Sequence, residues 1–255
     1  MRFFPVVLLF ILILILIIFT ACNGVNWMSY HVKETKQISK QLSGIEKIKI
    51  YNGVGEIICI PSNDSEVKVY ITKKVSGQDK SYAQDVCNRI SFSFSVENNT
   101  LSINAKIDDK EFWEWKRDNY KGDISIDYHI EIPKEIKNVT CETGVGDIEV
   151  KDIRARFYLK TGVGEIKVTG IEPMLNSKIE SDIGDVKAKL ANIENVTELY
   201  VKSDLGDINL SIPKNSKCKI DAVANNHKCD FESDNNAKVV VTVRTGLGDI
   251  KLNKF

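Results

Sequence analysis

Apolar and polar residues alternate along much of the chain beyond residue 45, and glycine interrupts the alternation at intervals. After one such glycine the apolar side chains fall at Ile148 and Val150, and after the next at Ile166 and Val168. The same period of two precedes the glycines. It is the period of a β-strand with one buried face. The pattern therefore predicts pairs of short one-sided strands joined at glycine corners.

A six-residue repeat marks these corners: Thr/Ser/Asn, Gly/Asp, Val/Ile/Leu, Gly, Asp/Glu, Ile/Val. Its copies are Asn52–Ile57, Thr143–Ile148, Thr161–Ile166, Ser181–Val186, Ser203–Ile208 and Thr245–Ile250. From residue 146 onward the fourth-position glycine recurs at steps of 18, 20, 22 and 42 residues. Two strands and a corner in each such step predict one coil of a β-solenoid. The doubled last step predicts a degenerate coil near Asn225–Asp230.

Backbone geometry explains the composition of the repeat. Its second position is always Gly or Asp and its fourth is always Gly, and both residue types suit a positive φ. We therefore predict a tight corner with the acidic fifth residue pointing outward. The glycines assigned to these structural corners are Gly53, Gly55, Gly144, Gly146, Gly162, Gly164, Gly184, Gly206, Gly246 and Gly248.

The stretch 45–133 is less regular but also strand-like. Glu97–Thr100 is a hairpin signal, and Ser81–Asn88 has the character of one short helix. We expect this half to supply antiparallel strands that cover an exposed ladder edge. The predicted fold class is all-β: a single-chain β-solenoid, or β-helix, of about 20-residue coils over residues 45–255, preceded by antiparallel strands.

The N-terminus is built to enter a bilayer, because Arg2 is followed by the uncharged segment Phe3–Ala21. Phe19–Asn23 resembles a bacterial lipobox, which implies a signal peptide over residues 1–21 and lipidation of Cys22. An uncleaved membrane anchor is the alternative. Either way the rest of the chain lies outside the cell membrane, and residues 22–44 are predicted to be a lipidated tether, with a short amphipathic helix over His31–Ser43 equally open.

Composition narrows the range of partners and cofactors. The hydrophobic fraction of 43% is that of a folded protein. Lys and Arg number 35, as do Asp and Glu, so no basic surface favours nucleic acid as a partner. Five cysteines follow Cys22 without metal-ligand spacing, and we interpret them as small buried hydrophobic residues, with a disulfide framework as the alternative. No cofactor and no metal site are expected.

The corner acids could serve calcium binding or catalysis, and neither fits well. Calcium-binding nonapeptide repeats return every nine residues, whereas these acids return every 18 to 22. β-Helix enzymes acting on polysaccharides need paired acids or a base in one groove. Here the acids occupy separate corners and only three histidines exist. We therefore expect no catalytic residues and no enzyme activity.

One aromatic segment is a possible binding surface. Trp113, Trp115 and Tyr120 stand among charged residues, and aromatic platforms bind sugars and peptides. The alternative is a lid that packs over the open end of the solenoid.

These features together resemble the "putative adhesin" domain family of bacterial envelope proteins, whose function is uncharacterised. The resemblance covers about residues 45–255 and rests on the glycine corners, the hairpin Phe94–Ile103 and the segment Tyr128–Lys134. It implies a β-solenoid that acts as a cell-surface adhesion or interaction module, anchored to membrane lipid and binding an unknown protein or glycan. An accessory to envelope-stress signalling is the alternative. A polysaccharide-active enzyme is a third reading.

Acylation of Cys22 is directly testable. Mass spectrometry of protein extracted from membranes should find Cys22 as a lipid-modified N-terminus, since the small pair Thr20 and Ala21 ends the apolar run. An intact Met1 with an unmodified Cys22 would instead identify an uncleaved span.

Overall fold

The computed structural model describes residues 30–41, 44–77, 79–108, 110–112, 122–230 and 232–255. Within these ranges the chain forms twenty strands and helix α1 (Lys80–Arg89), so the all-β prediction is confirmed. The first strands are β1 (Tyr30–Gln41), β2 (Lys47–Val54), β3 (Ile57–Pro61), β4 (Glu66–Gly77), β5 (Ile90–Glu97), β6 (Thr100–Ile107), β7 (Lys110–Glu111) and β8 (Asp123–Ile132). The others are β9 (Asn138–Val145), β10 (Ile148–Lys151), β11 (Arg154–Val163), β12 (Ile166–Pro173), β13 (Leu175–Ile183), β14 (Val186–Leu190), β15 (Val196–Leu205), β16 (Ile208–Ile212), β17 (Lys219–Val223), β18 (Asn226–Cys229), β19 (Val240–Leu247) and β20 (Asp249–Lys254).

The strands pair into two ladders within one curled sheet. In spatial order one ladder is β1-β4-β8-β3-β10-β12-β14-β16-β20-β18. The other is β5-β6-β2-β9-β11-β13-β15-β19-β17, with β7 beside β6. All neighbours from β8 to β18 and from β6 to β17 are parallel, which makes the fold solenoid-like.

Parallel, in-register pairing stacks like residues into a common core. Ile148 lies beside Ile166, which lies beside Val186, and all three are fully buried. The polar side chains between them point to the outer face and are at least partly exposed. Burying one such side chain contributes about 2–3 kcal/mol. The stacked strands are therefore held together by continuous apolar columns as well as by backbone hydrogen bonds.

The fourth-position glycines of the repeat stack directly on one another. At Gly164 φ is +153° and at Gly206 it is +154°, a conformation that glycine adopts readily and other residues rarely do. A Cβ on Gly164 would lie 2.1 Å from the carbonyl oxygen of Gly146. Backbone conformation and close stacking both require glycine at this position.

The second position of the repeat differs from the prediction. A positive φ was expected there as well, but φ is not positive at any of the six residues that occupy this position: Gly53, Gly144, Gly162, Asp182, Asp204 and Gly246. This position still belongs to the strand that enters the corner, for example Gly162 in β11. The expectation of two left-handed residues per corner is therefore wrong, because the chain turns only after the third position.

The first position of the repeat supplies a buried hydrogen-bond donor. The Ser203 hydroxyl donates to the carbonyl oxygen of Gly184 over 2.8 Å, and the side chain of Ser203 is completely buried. The same bond to the glycine carbonyl of the preceding coil is made by Thr143, Thr161, Ser181 and Thr245. Asn52 uses its side-chain amide in this role. The choice of Thr, Ser or Asn thus has a direct physical cause.

The N-terminal half closes one end of the ladders with antiparallel strands. The hairpin β5–β6 turns at Asn98 and Asn99, which both have positive φ, as the sequence predicts. Helix α1 contains the predicted helical segment, and Asp79 caps it by accepting the Ser81 amide over 2.7 Å. Among the described residues, no helix has the length and apolar character needed to cross a membrane.

Residues 30–41 form a strand, so both the predicted tether and its alternative, a short amphipathic helix, are wrong for this segment. They form β1, which pairs antiparallel with β4 from Tyr30–Gly77 to Gln41–Glu66. Lys73 of β4, which is 6% exposed, reaches the Glu34 carboxylate of β1 over 2.8 Å. The edge of β4 offers unpaired backbone groups, and β1 satisfies them.

The degenerate coil lies where the sequence predicts it, as β17 and β18, but it closes the far end of the ladders. Leu247 of β19 pairs directly with Leu205 of β15, and β17 pairs with the other edge of β19. Spatial order therefore departs from chain order here. An atypical coil suits a terminal position because it needs to match only one neighbour.

The glycine column predicts a graded loss of stability. Gly164→Ala and Gly206→Ala should each lower the free energy of unfolding by more than about 2 kcal/mol, because left-handed strain adds to a clash with the stacked carbonyl. Gly44→Ala is the matched control, since Gly44 has φ +80° but no described atom within 4 Å of an added Cβ. Thermal melts of the three variants measure these losses of stability. Equal losses at all three positions would show that stacking contributes nothing.

The buried hydroxyl predicts a second stability change. Ser203→Ala should cost about 1–3 kcal/mol, because the carbonyl of Gly184 loses its donor. Ser203→Thr is the control, as threonine makes this bond at residues 161 and 245. Chemical denaturation measures both variants. Two indistinguishable variants would argue against the hydroxyl bond as a stabilising contact.

Candidate functional site

The third position of the repeat forms a row of aliphatic side chains along the corner edge. We name this row the corner ridge; its members are Val54, which is half-buried, and the exposed residues Val145, Val163, Ile183, Leu205 and Leu247. Each lies beside the next in register. Ile183 is 47% exposed and Leu247 is 62% exposed. Five steps of about 4.8 Å make the ridge about 24 Å long.

Such a row is unusual on a protein surface. Single exposed aliphatic residues are normal, but a contiguous apolar patch commonly marks an interaction site. Sequence reasoning missed the ridge, because a period of two carried through Cys141 and Thr143 reaches Val145 in the buried phase. The turn at Gly146 instead leaves Val145 46% exposed. The signal that could have found it is the aliphatic residue placed directly before every corner glycine.

The fifth-position acids form a second column two residues further along. Asp147 accepts the backbone amide of Glu165 over 2.7 Å, and Asp207 accepts that of Asp249 over 2.8 Å. Asp185 accepts the amide of Asp207 in the same way. In each of these aspartates one carboxylate oxygen therefore accepts a backbone amide of the next coil. The corner edge carries negative charge beside the ridge.

Charge accumulates along this column and is only partly neutralised. Lys187 forms ion pairs with Glu165 and Asp185, and the hydrogen bond to Glu165 raises the pKa of Lys187. At the other end, burial together with the nearby Asp127 and Asp147 carboxylates raises the pKa of Glu56. In the described ranges no cluster of three or more His, Cys, Asp or Glu side chains could hold a metal ion.

Other residues considered for chemistry have structural surroundings. His129 packs its ring edge-on against Tyr70, with centroids 5.8 Å apart. Four of the five described cysteines are buried, and in the core the sulfurs of Cys59 and Cys141 lie 3.6 Å apart. Cys229 is exposed. The corner edge thus offers shape, apolar surface and charge, which suit non-covalent binding.

Several predicted site residues lie outside the described residues. These are Cys22, the proposed lipidation site, and Trp113, Trp115 and Tyr120, the possible aromatic surface. Their roles stay predictions. The assigned corner glycines do come together in the structure, as the fourth-position column and the second-position strand residues described above.

Fold and surface together define a class: an all-β, solenoid-like repeat domain with an uncovered apolar edge. The chain belongs to the Toastrack DUF4097 family, whose model matches residues 30–253. No curated protein is detectably similar to the chain in sequence.

Solved structures of bacterial proteins share similarity with this chain. A "putative cell adhesion protein" from Clostridium sporogenes has 13% identity and a TM-score of 0.49, with 89% of this chain and 100% of that one covered. A "putative adhesin" from Bacteroides fragilis has 16% identity and a TM-score of 0.43, with 86% and 97% covered. A "putative lipid binding protein" from Parabacteroides distasonis has 13% identity and a TM-score of 0.32, with 86% and 96% covered.

Proposed function

We propose that this protein is a non-catalytic interaction module, displayed outside the bacterial cell membrane, that binds a protein partner through the corner ridge. The observation that carries the proposal is the ridge itself: aliphatic side chains such as Ile183 and Leu205 remain more than 40% exposed on successive coils. Burying them against a partner would recover about 25 cal/mol for each Å² removed from water.

The chemistry of the partner follows from what borders the ridge. The acid column of Asp147, Glu165, Asp185, Asp207 and Asp249 runs alongside it, and their carboxylates are only partly paired. A complementary surface presents an apolar stripe flanked by lysine or arginine. Such charge complementarity fixes orientation and speeds association more than it adds affinity.

Display outside the membrane rests on the N-terminal sequence. We propose that Cys22 carries the lipid anchor and that the domain is a closed solenoid of about 20-residue coils. The in-register steps from Ile148 to Ile166, Val186 and Ile208 support that coil length. A rigid stack of this kind presents the ridge as a straight, preorganised edge, which lowers the entropic cost of binding.

An accessory role in envelope-stress signalling is the second candidate, and it uses the same surface. In that case the partner is a membrane sensor of the same cell rather than a ligand outside it. A polysaccharide-active enzyme is disfavoured by the geometry, because the corner aspartates accept backbone amides of neighbouring coils instead of converging in a groove.

A photocrosslinking amino acid at Ile183, in the full-length protein in its own membranes, tests the proposal. Mass spectrometry of the crosslinked product should identify a defined protein, and its identity separates a sensor from an external ligand. Ile183→Glu combined with Leu205→Glu should abolish a matched crosslink from Leu247, because charge on the ridge opposes apolar burial. The thermal melt should not change, since both side chains are exposed.

Val96→Glu is the matched control, because Val96 is 55% exposed on β5, away from the ridge. It should leave the crosslink intact. A crosslink that survives the double ridge variant would refute the ridge as the binding surface. Loss of the crosslink on alanine substitution of Trp113 and Trp115, with the ridge variant unaffected, would place the contact on the aromatic segment instead.

A further inference from the structure

A second surface, separate from the ridge, lies on the outer face of the ladder that contains β2, β9, β11, β13 and β15. It is an open cleft of about 640 Å³. Its outer-face lining includes Lys47, Lys49, Thr140, Tyr158, Lys178 and Tyr200. From β2 to β15 there are four steps of about 4.8 Å, so the cleft is about 19 Å long.

Aromatic rings and a cation alternate along one side of the cleft. Tyr158, Lys178 and Tyr200 are in-register neighbours on adjacent strands. The Lys178 ammonium lies 5.8 Å from the ring centroid of Tyr158 and 5.4 Å from that of Tyr200. It is held there by an ion pair with Glu180 at 2.8 Å, whose hydrogen bond raises the pKa of Lys178. The two rings are therefore fixed as half-exposed platforms around a lasting positive charge.

Small polar side chains separate these rings from two further lysines. Thr140 of β9 lies between Lys49 of β2 and Tyr158 of β11. Because Thr140 is short, it forms the floor of the cleft between taller neighbours. Arg156 also lines the cleft, and its guanidinium is anchored by donating to the carbonyl of Asn176 over 2.9 Å.

Positive charge is concentrated here in a chain with equal numbers of acidic and basic residues. Among the described residues, Lys47, Lys49, Arg156 and Lys178 line the cleft, against one lining carboxylate, Glu198, and the Glu180 carboxylate that pairs with Lys178. The excess of positive charge is therefore a property of this cleft, since the net charge of the whole protein is zero. Cations placed in this way favour a ligand with carboxylate or phosphate groups.

We propose that this cleft binds a short acidic oligosaccharide, with sugar rings over Tyr158 and Tyr200 and the anionic groups facing Lys49 and Lys178. Tyrosine rings offer flat apolar faces with a polar tip, which match the alternating apolar faces and hydroxyl edges of a sugar. The Asn138 and Thr140 side chains of the floor supply hydrogen-bonding groups for those hydroxyls. A purely charged ligand would have no use for the two rings.

Calorimetry of full-length protein in detergent micelles tests the inference with three matched probes. Tetragalacturonate carries a carboxylate on each sugar, maltotetraose has neutral sugars, and tetraglutamate has the carboxylates without sugars. Tetragalacturonate should bind, and the other two should bind at least about tenfold more weakly. Its affinity should fall as salt is raised, because the charges are near the surface.

Variants locate the site. Tyr158→Ala and Tyr200→Ala should each weaken tetragalacturonate binding about tenfold, the order of losing one stacked ring, and Lys49→Gln should reduce its salt dependence. Tyr51→Ala is the control, because Tyr51 is 42% exposed on β2 but does not line the cleft. The ridge variant Ile183→Glu with Leu205→Glu should bind the sugar normally, so the two proposals fail separately. No binding of tetragalacturonate, equal binding of tetraglutamate, or an equal loss in Tyr51→Ala would overturn the inference.

Discussion

The carbonyl oxygen of the corner glycines, from Gly55 to Gly206, is the group on which this structure depends. At the corner the backbone turns out of the ladder, so this carbonyl needs a donor other than a neighbouring strand, and a buried acceptor without one is costly. A hydroxyl of the next coil supplies that donor, as in Ser203 to Gly184. The hydroxyl can reach because no Cβ separates the two glycines, whose stacking leaves no space for one. Turn, stacking and side-chain choice are therefore one constraint repeated along the edge.

A stack built on this constraint must still end, and its two ends are closed in different ways. On the N-terminal side, strands such as β1 and β4 run antiparallel and cover the parallel ladder. On the other side the coil of β17 and β18 lacks a corner glycine and lies outside β19 and β20. Only the coils between these ends repeat the full corner, so only they contribute successive members to the ridge. The length of the ridge is thus set by how the ends are closed.

Sequence patterns predicted the strands and corners because period-two burial and glycine are local signals. Strand β1 was not predicted, since Lys33 to Gln37 have no apolar alternation, and their conformation depends on β4, more than 30 residues away. The positions of β17 and β19 relative to β15 likewise depend on which strand edges pair with each other. The cleft could not be read from the sequence because Lys49, Thr140 and Tyr158 come from three strands that only the register brings together. The N-terminal anchor stays a prediction.

The third position of the repeat is the one that folding leaves free, which makes its composition informative. The first position donates a side-chain bond, the fourth has to be glycine, and the fifth caps an amide. At the third, only the backbone is used: the carbonyl of Leu205 accepts the amide of Gly184. A polar side chain would serve this bond equally well and would be better solvated. Strand propensity favours β-branched residues and accounts for valine, but not for Leu205 or Leu247, and it gives no reason to keep an aliphatic residue on an exposed edge. What the six ridge residues share is apolar surface, and the proposed binding of a partner through the ridge gives a reason for keeping apolar residues there.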